Sequence, residues 1–476
     1  MKKISIVSIV ALGAILGSSQ GFANDHHEIE GPFESPMDVT LTCLECHEDA
    51  AKEVMATTHW TWEKMQRIPG KGTEMRGKKN AINNFCVSVA SNEPRCTSCH
   101  VGYGWKDDSF DFTDESRVDC LVCHDTTGTY RKPAASAGMP AGYTGKASAD
   151  KKPVDLLKIA RNAGVPTREN CINCHAYGGG GNNVKPGDMS AAMINPDKDL
   201  DVHMDSGGLN FTCQQCHKTD SHDIPGQSLL VSPGADSTMD CTDCHGDSPH
   251  RYQLLAKTYN EHTAKIACQT CHIAHYAKAD GTKMSWDWSK AKNPKDLPED
   301  QRVIKEHGHA VYLNHKGKFT YETNVVPTYA WFNGTTGAYA IGDKIDPTKM
   351  TVLNQPMGDK NDPDAKIMPF KVHTGKQIYD TKFSYFITPK VWGPKGDADA
   401  YWQQFDWDKA AIAGMKASGL EYSGEFGFAA TASYWPINHQ VDPKEKALKC
   451  LDCHKEGKRL DWKALGYNGD PLEVQD

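Results

Sequence analysis

The feature that most constrains this chain is the pentapeptide Cys-x-x-Cys-His, which occurs eight times in 476 residues. Two thiols separated by two residues can each add to one vinyl group of a haem, and the histidine that follows can reach the iron from one side. The motifs are Cys43/Cys46/His47, Cys96/Cys99/His100, Cys120/Cys123/His124, Cys171/Cys174/His175, Cys213/Cys216/His217, Cys241/Cys244/His245, Cys268/Cys271/His272 and Cys450/Cys453/His454.

Zinc ribbons and disulfides are the alternative uses of so many cysteines. Sixteen of the seventeen cysteines lie in the motifs, and only Cys86 lies outside them. A zinc ribbon does not require a histidine directly after every second cysteine, and disulfides do not require a fixed gap of two residues. The pattern therefore predicts eight covalently bound haem c groups.

The composition agrees with a core that is filled by something other than side chains. Hydrophobic residues make up 38% of the chain, and its mean hydropathy is -0.60. Both values are low for a conventional core of this size. Eight apolar porphyrins would supply the missing surface, so the predicted fold is a mainly α and irregular multihaem cytochrome c with a haem-packed core.

The distribution of motifs predicts the domain organisation. Seven motifs lie between residues 43 and 272, and none lies between 273 and 449. We therefore expect a seven-haem core at 24–275, an aromatic-rich, partly β and irregular insertion lobe at 276–440, and a C-terminal segment at 441–476 that carries the eighth motif. Residues 310–321 within the insertion are typical of a β-hairpin that turns at Lys316 and Gly317.

The first 23 residues resemble a secretory signal. Lys2 and Lys3 precede an apolar run at 4–16, and Gly21-Phe22-Ala23 provides small residues for cleavage. The apolar run is too short to span a bilayer comfortably, so we expect an exported, soluble protein that begins near Asn24, although an uncleaved anchor is the competing interpretation.

The charge of the chain argues against nucleic acid as a partner. The formal net charge is -8, and it becomes -10 when the two signal lysines are removed, leaving 51 Lys and Arg against 61 Asp and Glu. Haem propionates add further negative charge. We therefore expect no nucleic-acid partner.

Histidines outside the motifs are the candidates for the second iron ligands. Of 21 histidines, eight lie in motifs, and His26 and His27 belong to the mature terminus. His222 and His250 follow their motif histidines by five residues and His275 follows by three, so these are favoured by spacing. His307, His309 and His315 belong to the hairpin region and contribute at most one or two ligands. The candidates are His59, His203, His222, His250, His262, His275, His373 and His439. They suffice for seven haems and also for eight, so counting leaves the eighth iron open.

A lysine follows the fourth motif on a glycine-rich arm. Gly178 to Gly181 tolerate conformations that let backbone lie close to a flat macrocycle, and the flexible arm then reaches Lys185. A lysine at a haem can bind iron through its neutral amine or hold an anion as an ammonium. A solvated lysine on a mobile loop is the alternative.

A basic run precedes the second motif. Arg67, Lys71, Arg76, Lys78 and Lys79 are accompanied only by Glu74. Such a run would attract small anions to a haem beneath it, unless it is only a solvated surface loop. The lone thiol that follows is either catalytic, buried and inert, or paired with another chain.

The eight motifs, the lone Cys86 ten residues before the second of them, and the loop Gly-Gly-Gly-Gly-Asn-Asn-Val-Lys-Pro-Gly-Asp at 178–188 together resemble the octahaem tetrathionate reductases. These are periplasmic relatives of hydroxylamine oxidoreductase and pentahaem nitrite reductase. The resemblance covers essentially the whole mature chain.

The resemblance implies that the second haem is the active site, with Lys185 as its distal ligand and with Cys86, Asn83 and Asn182 around the pocket. The other seven haems then carry two histidines each. Two departures stand out: Asn182 replaces the usual aspartate, and Pro186 replaces the usual histidine. Pro186 removes a ligand or hydrogen bond that His203 would have to supply.

The function implied by the resemblance is reduction of tetrathionate to thiosulfate in the periplasm, and also of nitrite and hydroxylamine. Electrons would come from a periplasmic or membrane-anchored donor cytochrome, and a homodimer is compatible with this arrangement. The alternatives are a non-catalytic electron conduit and a hydroxylamine-oxidising enzyme. Lys185 distinguishes them, because a labile ligand favours an enzyme and a solvated side chain favours a conduit.

Overall fold

The computed structural model describes residues 26–83, 85, 88–147, 149–226, 239–252, 254–455 and 459–474. The predicted signal at 1–23 and Cys86 lie outside these residues. The α-helices are α1 (Pro36–Leu44), α2 (Ala50–Met55), α3 (Thr58–Thr61), α4 (Glu93–Cys96), α5 (Leu121–His124), α6 (Leu156–Arg161), α7 (Arg168–His175), α8 (Thr242–His245), α9 (Ala256–His262), α10 (Cys268–His272), α11 (Tyr401–Gln404), α12 (Trp407–Ala417) and α13 (Cys450–Cys453). Single 3₁₀ turns lie at His26–Glu28, Thr97–Cys99, Glu115–Arg117, Ala191–Ile194, Cys213–Gln215, Trp288–Lys290, Pro294–Asp296, Glu299–Gln301 and Lys444–Lys446.

The helices that carry the motifs are short, and each ends at or near the histidine of its motif. In α1, the Ser35 hydroxyl accepts a hydrogen bond from the Asp38 amide, and the Asp38 carboxylate accepts one from the Ser35 amide. This capping box and the proline at the first helical position fix where the helix begins. The helix leads directly into the first motif, so the caps determine where its cysteines lie.

The insertion between the seventh and eighth motifs contains most of the β-structure. The strands of the described chain are β1 (Lys64–Ile68), β2 (Gly72–Arg76), β3 (Thr282–Asp287), β4 (Val303–Glu306), β5 (His309–Leu313), β6 (Gly317–Glu322), β7 (Thr328–Phe332), β8 (Thr336–Ala338), β9 (Thr351–Pro356), β10 (Lys366–Asp380), β11 (Tyr385–Phe386) and β12 (Phe426–Pro436). The predicted hairpin is confirmed, because β5 pairs with β6 in antiparallel register. The mainly helical and irregular fold class with a partly β insertion is confirmed as well.

Strand β10 is the centre of a mixed sheet with the order β4-β5-β6-β3-β10-β12-β9-β8, and β7 and β11 also pair with β10. It is antiparallel to β12 along eleven residue pairs and parallel to β3 along three. The beginning of the strand also joins the helical part, since the Ile367 amide donates to Lys265 and the Ile367 carbonyl accepts from Ala267. The sheet is thereby fastened to the segment that carries the seventh motif.

A second connection fixes the insertion to the segment before the second motif. Asn92 is fully buried. Its amide group donates to the Pro389 carbonyl at 3.1 Å, and its carbonyl oxygen accepts from Val391 at 2.9 Å and from Trp392 at 3.0 Å. Because α4 begins directly after Asn92, these bonds locate the second motif against the 389–392 loop of the insertion. Among the described residues, no helix combines the length and apolar character needed to cross a membrane.

Candidate multihaem redox site

Seven of the eight motif histidines face a second histidine at nearly the same distance. The ring centroids are separated by 6.3 Å for His47–His26, 6.0 Å for His124–His222, 6.1 Å for His175–His59, 6.3 Å for His217–His439, 6.1 Å for His245–His203, 6.2 Å for His272–His250 and 6.3 Å for His454–His262. Two imidazoles bonded to one metal through nitrogen, each at about 2 Å, have ring centroids about 6 Å apart. The pairs therefore fit an iron between them.

The hydrogen bonds of these rings also suit metal binding. In five of the seven pairs, the Nδ1 atom of at least one ring is hydrogen-bonded to the protein; the pairs of His175 and His245 are the other two. The partners of Nδ1 are Ala163 O for His26, Gly164 O for His124, Glu53 for His222, Asn260 for His250, Thr258 O for His262, Asp188 for His439 and Asp470 for His454. A partner on Nδ1 fixes the ring orientation and leaves Nε2 to the metal.

Burial keeps several of these imidazoles in the neutral form that a metal requires. Desolvation lowers the pKa of His175 to about 3 and that of His217 to about 4. It also lowers the pKa of His59. An imidazole that is neutral at pH 7 can offer a lone pair to iron without first losing a proton.

The structure differs from the sequence expectation at three histidines. His26 is paired although the sequence treats it as part of the terminus; the turn that carries it is fastened to α6 by a bond from Arg161 to the Ile29 carbonyl at 2.9 Å. Neither His275 nor His373 faces a motif histidine at the paired spacing among the described residues. His373 lies on β10, with its ring 4.1 Å from that of Phe85, so packing within the sheet determines its position.

The hairpin histidines contact aromatic side chains. The ring of His309 stacks on Tyr321 with centroids 4.4 Å apart. His315 meets Trp402 edge to face at 5.4 Å. These contacts serve packing in the insertion, which agrees with the expectation that the hairpin contributes few ligands.

Cysteines of different motifs lie side by side. Thiols within hydrogen-bonding reach are Cys43 with Cys120, Cys99 with Cys174, Cys171 with Cys213, and Cys241 with Cys268. The first motif thus adjoins the third, the second adjoins the fourth, the fourth adjoins the fifth, and the sixth adjoins the seventh. Groups attached to adjacent thiols lie close to one another, which is the arrangement that electron transfer between them requires.

Three predicted attachment cysteines are exposed to solvent in the protein chain: Cys46 of the first motif, Cys216 of the fifth and Cys244 of the sixth. Glu45 and Asp243, which precede two of these thiols, are exposed as well. Haem attachment through these three cysteines stays a prediction.

His100 of the second motif has a different environment from the other motif histidines. Within the described residues, no second histidine lies at the paired spacing from its ring. Five aromatic rings surround it instead: Trp60 at 5.1 Å, Trp62 at 5.5 Å, Trp105 at 4.9 Å, Phe110 at 5.6 Å and Phe112 at 6.2 Å. Its Nε2 lies 2.7 Å from the Trp60 carbonyl. The ring would have to leave that carbonyl to offer the same atom to iron.

Lys185 lies within electrostatic range of Cys96 and Cys99, the attachment cysteines of this second motif. Its amine is 4.5 Å from the centre of the Trp435 ring. Desolvation lowers the pKa of Lys185 to about 7; the charge of Lys78 lowers it further, and Cys99 and Cys96 oppose this. A large fraction of the amine is therefore neutral near pH 7 and able to bind a metal.

The loop that carries Lys185 is fastened at several points rather than mobile, which differs from the flexible arm that the sequence predicts. The Asn183 amide donates to Ala176 O at 2.9 Å, and the Gly187 carbonyl accepts from Ala277 at 2.9 Å. The Asn182 side-chain oxygen accepts from the Ala191 amide at 2.8 Å. Asn182 therefore serves to close the loop.

Other residues predicted near the pocket are located as follows. The side-chain oxygen of Asn83 accepts from the Phe85 amide at 3.0 Å, and its carbonyl accepts from Gln377 at 2.8 Å. His203 faces His245, so it does not take the place of the histidine replaced by Pro186.

The basic run forms the β1–β2 hairpin and its continuation, and most of its charges are paired. Lys71 bonds Asp343 and Arg76 bonds Glu74. Lys79 bonds Glu63 at 2.9 Å. Lys78 instead lies over the Trp62 ring at 3.7 Å, and its charge acts on both Lys185 and His100.

Lys132 is a further cation at the second motif that sequence reasoning missed, because it belongs to no motif. Its side chain is 4% exposed and pairs with Asp119 at 2.8 Å. Its amine also donates to the carbonyls of His100 at 2.6 Å and Gly102 at 3.2 Å. It holds the backbone that carries His100.

The fold and the paired histidines define a multihaem c-type cytochrome, and the comparisons agree. Residues 42–125 match the family of cytochrome c554 and c-prime, and residues 283–457 match the family of bacterial cytochrome c. An uncharacterised protein of Archaeoglobus fulgidus is 24% identical over 276 residues, which cover 48% of this chain and 90% of that protein.

A solved structure identifies the family. The crystal structure of octahaem cytochrome c from Shewanella oneidensis is 51% identical to this chain, with a TM-score of 0.86, and the match covers 95% of this chain and 99% of the other. The chain therefore belongs to the octahaem c-type cytochromes and binds haem c covalently.

Proposed function

We propose that this protein is a periplasmic reductase in which one of eight haems reacts with a small anion, with tetrathionate as the first candidate substrate. A single observation supports this most strongly. The motif whose histidine, among the described residues, lacks a second histidine is the motif beside the amine of Lys185. An exchangeable ligand at one site and paired histidines at seven is the arrangement of an enzyme rather than of a conduit.

The sixteen motif cysteines would attach the eight haems, and each motif histidine would bind the iron of its own haem. The second ligands would be the paired histidines at seven sites and Lys185 at the haem of Cys96 and Cys99. When bound, haem c supplies one-electron storage at each iron and an axial position that exchanges ligands.

The residues of the chain determine which substrate is favoured. Lys78 places positive charge near the second motif, and Lys185 adds to it when its amine is protonated, whereas Asp119 balances the charge of Lys132. This positive charge attracts an anion. Tetrathionate is a dianion that accepts two electrons; its central S–S bond breaks, and two thiosulfate ions leave without taking up a proton. A donor cytochrome supplies the two electrons. Nitrite is a further candidate because it is a small anion that suits the same cations, and hydroxylamine is a candidate because it could bind an iron whose ligand exchanges.

The test is the ligand set of the oxidised protein. Magnetic circular dichroism in the near infrared and electron paramagnetic resonance distinguish an amine and histidine pair from two histidines. Lys185→Ala should leave seven haems unchanged, convert one to a water-bound or open iron, and alter tetrathionate turnover. Lys278→Ala is the matched control, since that lysine is also partly buried, where it pairs with Asp442 at 2.8 Å.

Eight bis-histidine haems in both the wild type and Lys185→Ala would refute the ligand assignment and would support the electron conduit. An amine-ligated haem that oxidises hydroxylamine but does not reduce tetrathionate would support the hydroxylamine-oxidising alternative.

A further inference from the structure

Lys371 is a fully buried lysine in the middle of β10. Its amine lies 2.8 Å from the Val184 carbonyl, 3.0 Å from the Lys185 carbonyl and 2.5 Å from the hydroxyl oxygen of Thr282. The Thr282 hydroxyl donates its own proton to the Asn183 carbonyl at 2.6 Å. All three atoms around the amine are therefore acceptors, and only an ammonium has three protons to donate to them.

These bonds hold the backbone of the loop at Lys185 and at the two residues before it. Three consecutive carbonyls, those of residues 183, 184 and 185, are bound by two side chains from neighbouring strands, Thr282 of β3 and Lys371 of β10. The loop has no regular structure to satisfy these carbonyls, and buried carbonyls need partners. Two side chains of the sheet thus donate the hydrogen bonds that the loop does not supply to its own carbonyls.

The surrounding packing leaves little freedom for another arrangement. Gly187 has a φ of +92°, and a Cβ atom there would lie 3.0 Å from the Lys371 side chain and 2.9 Å from Tyr276. Burial works against the charge and lowers the pKa of Lys371 well below its ordinary value, and the charge of Asp188 opposes this effect. A buried cation is kept at such a place only where its hydrogen bonds compensate for desolvation.

One face of β10 contacts two segments that the sequence predicts to lie around the pocket, the Lys185 loop and residues 83–85. Residues two apart on a strand point to the same side. Lys371 binds the Lys185 loop, His373 packs on Phe85, and Gln377 donates to the Asn83 carbonyl. The strand therefore contacts the lysine loop and the segment around residues 83–85 at once.

We propose that Lys371 is a positioning residue that holds the Lys185 backbone, and that the β-sheet of the insertion serves as the scaffold of the exchangeable ligand. This inference rests on the proposed function, since it takes Lys185 as that ligand. Loosening the backbone should make the Lys185 amine easier to displace, without changing the seven histidine-paired sites.

The experiment compares Lys371→Met with Lys278→Met in the full-length protein carrying its haems. The amine-ligated haem is followed by near-infrared magnetic circular dichroism while cyanide is added. We expect half-displacement of the amine at a roughly tenfold lower cyanide concentration in Lys371→Met, because two hydrogen bonds from a charged donor to the loop are lost. Lys278→Met should titrate like the wild type. Lys371→Gln, which keeps a donor, should fall between the two.

Unchanged cyanide displacement in Lys371→Met would overturn the inference and leave the proposed function standing. Equal shifts in both methionine variants would also overturn it, because the effect would then be unspecific. If the wild type shows no amine-ligated haem, the proposed function itself fails, and this inference with it. If neither Lys371 variant folds, Thr282→Val is the deciding variant, because it removes the hydrogen bond to the Asn183 carbonyl and keeps Lys371. Displacement of the amine at a lower cyanide concentration in Thr282→Val would support the inference, and unchanged displacement would overturn it.

Discussion

Replacement of Asp470 should raise the reduction potential of one haem. The carboxylate of Asp470 accepts from Nδ1 of His454 at 2.6 Å, and its side chain is 6% exposed. Burial opposes the charged form, but hydrogen bonds from His454 and from the backbone outweigh it and keep the pKa of Asp470 below its ordinary value, so the group carries a negative charge at pH 7. That charge stabilises the ferric form of an iron bound to His454. Asp470→Asn keeps an acceptor but removes the charge.

The size of the expected rise in reduction potential follows from the distance between the iron and the Asp470 carboxylate. An iron bound at the far nitrogen of His454 lies about 7 Å from the carboxylate, and at an effective dielectric constant of about 20 the interaction of two unit charges is about 2.4 kcal/mol. This corresponds to about 100 mV for one electron. Backbone amides of Lys455 and Leu472 already donate to the carboxylate and spread its charge, so a rise of about 50–100 mV is expected.

Potentiometric titration followed by electron paramagnetic resonance measures this shift. Glu473→Gln is the control, because Glu473 is exposed and the substitution removes the same charge nearby. One haem should shift in Asp470→Asn and none in the control. If no haem shifts, or if all haems shift together, the assignment of Asp470 as the partner of an iron-bound histidine is wrong.

Four further outcomes are expected. Intact mass should show eight haem increments on a chain that begins near Asn24, and a chain that retains residues 1–23 or carries fewer haems would contradict this. His26→Ala should convert one bis-histidine haem to a high-spin haem in resonance spectra, whereas His27→Ala should not, because only His26 faces a motif histidine. Cys86→Ser should lower the rate of reduction of tetrathionate or nitrite, and unchanged rates for both would show that the thiol is structural. Burial raises the pKa of Asp380, but hydrogen bonds from backbone amides and from a hydroxyl outweigh this effect and hold the pKa below the ordinary 3.8. The ionised carboxylate therefore stabilises the fold above pH 3.8, and this stabilisation is lost as the pH falls below that value. Thermal unfolding of Asp380→Asn should accordingly show less acid destabilisation than that of the wild type.

Local covalent chemistry was predictable from the sequence, and the contacts between distant segments were not. The spacing within each motif is a property of five residues, so the motifs could be read directly. His222 and His250 were favoured because they follow their own motifs, yet the structure places them against His124 and His272, which belong to other motifs. Proximity in sequence identified the residue but not its partner, because the partner depends on how the segments pack.

The features that sequence reasoning missed have no local signal. His26 lies at a terminus, and its position depends on a bond between Arg161 and a distant carbonyl. Lys371 occurs within a strand, where an isolated lysine usually faces solvent. Its burial follows from the carbonyls of a loop that is 186 residues away in sequence. Lys185 could be found because the glycines before it mark an unusual backbone.

The contacts between cysteines of different motifs also indicate which haems would be neighbours. Cys99 of the second motif meets Cys174 of the fourth, and the fourth motif also meets the fifth through Cys171 and Cys213. With haems attached as proposed, the reacting haem would adjoin the fourth haem, and the fourth would adjoin the fifth. Electrons would then reach the reacting haem through the fourth, and an inhibitor bound at the reacting haem would leave exchange between the fourth and fifth haems uninterrupted.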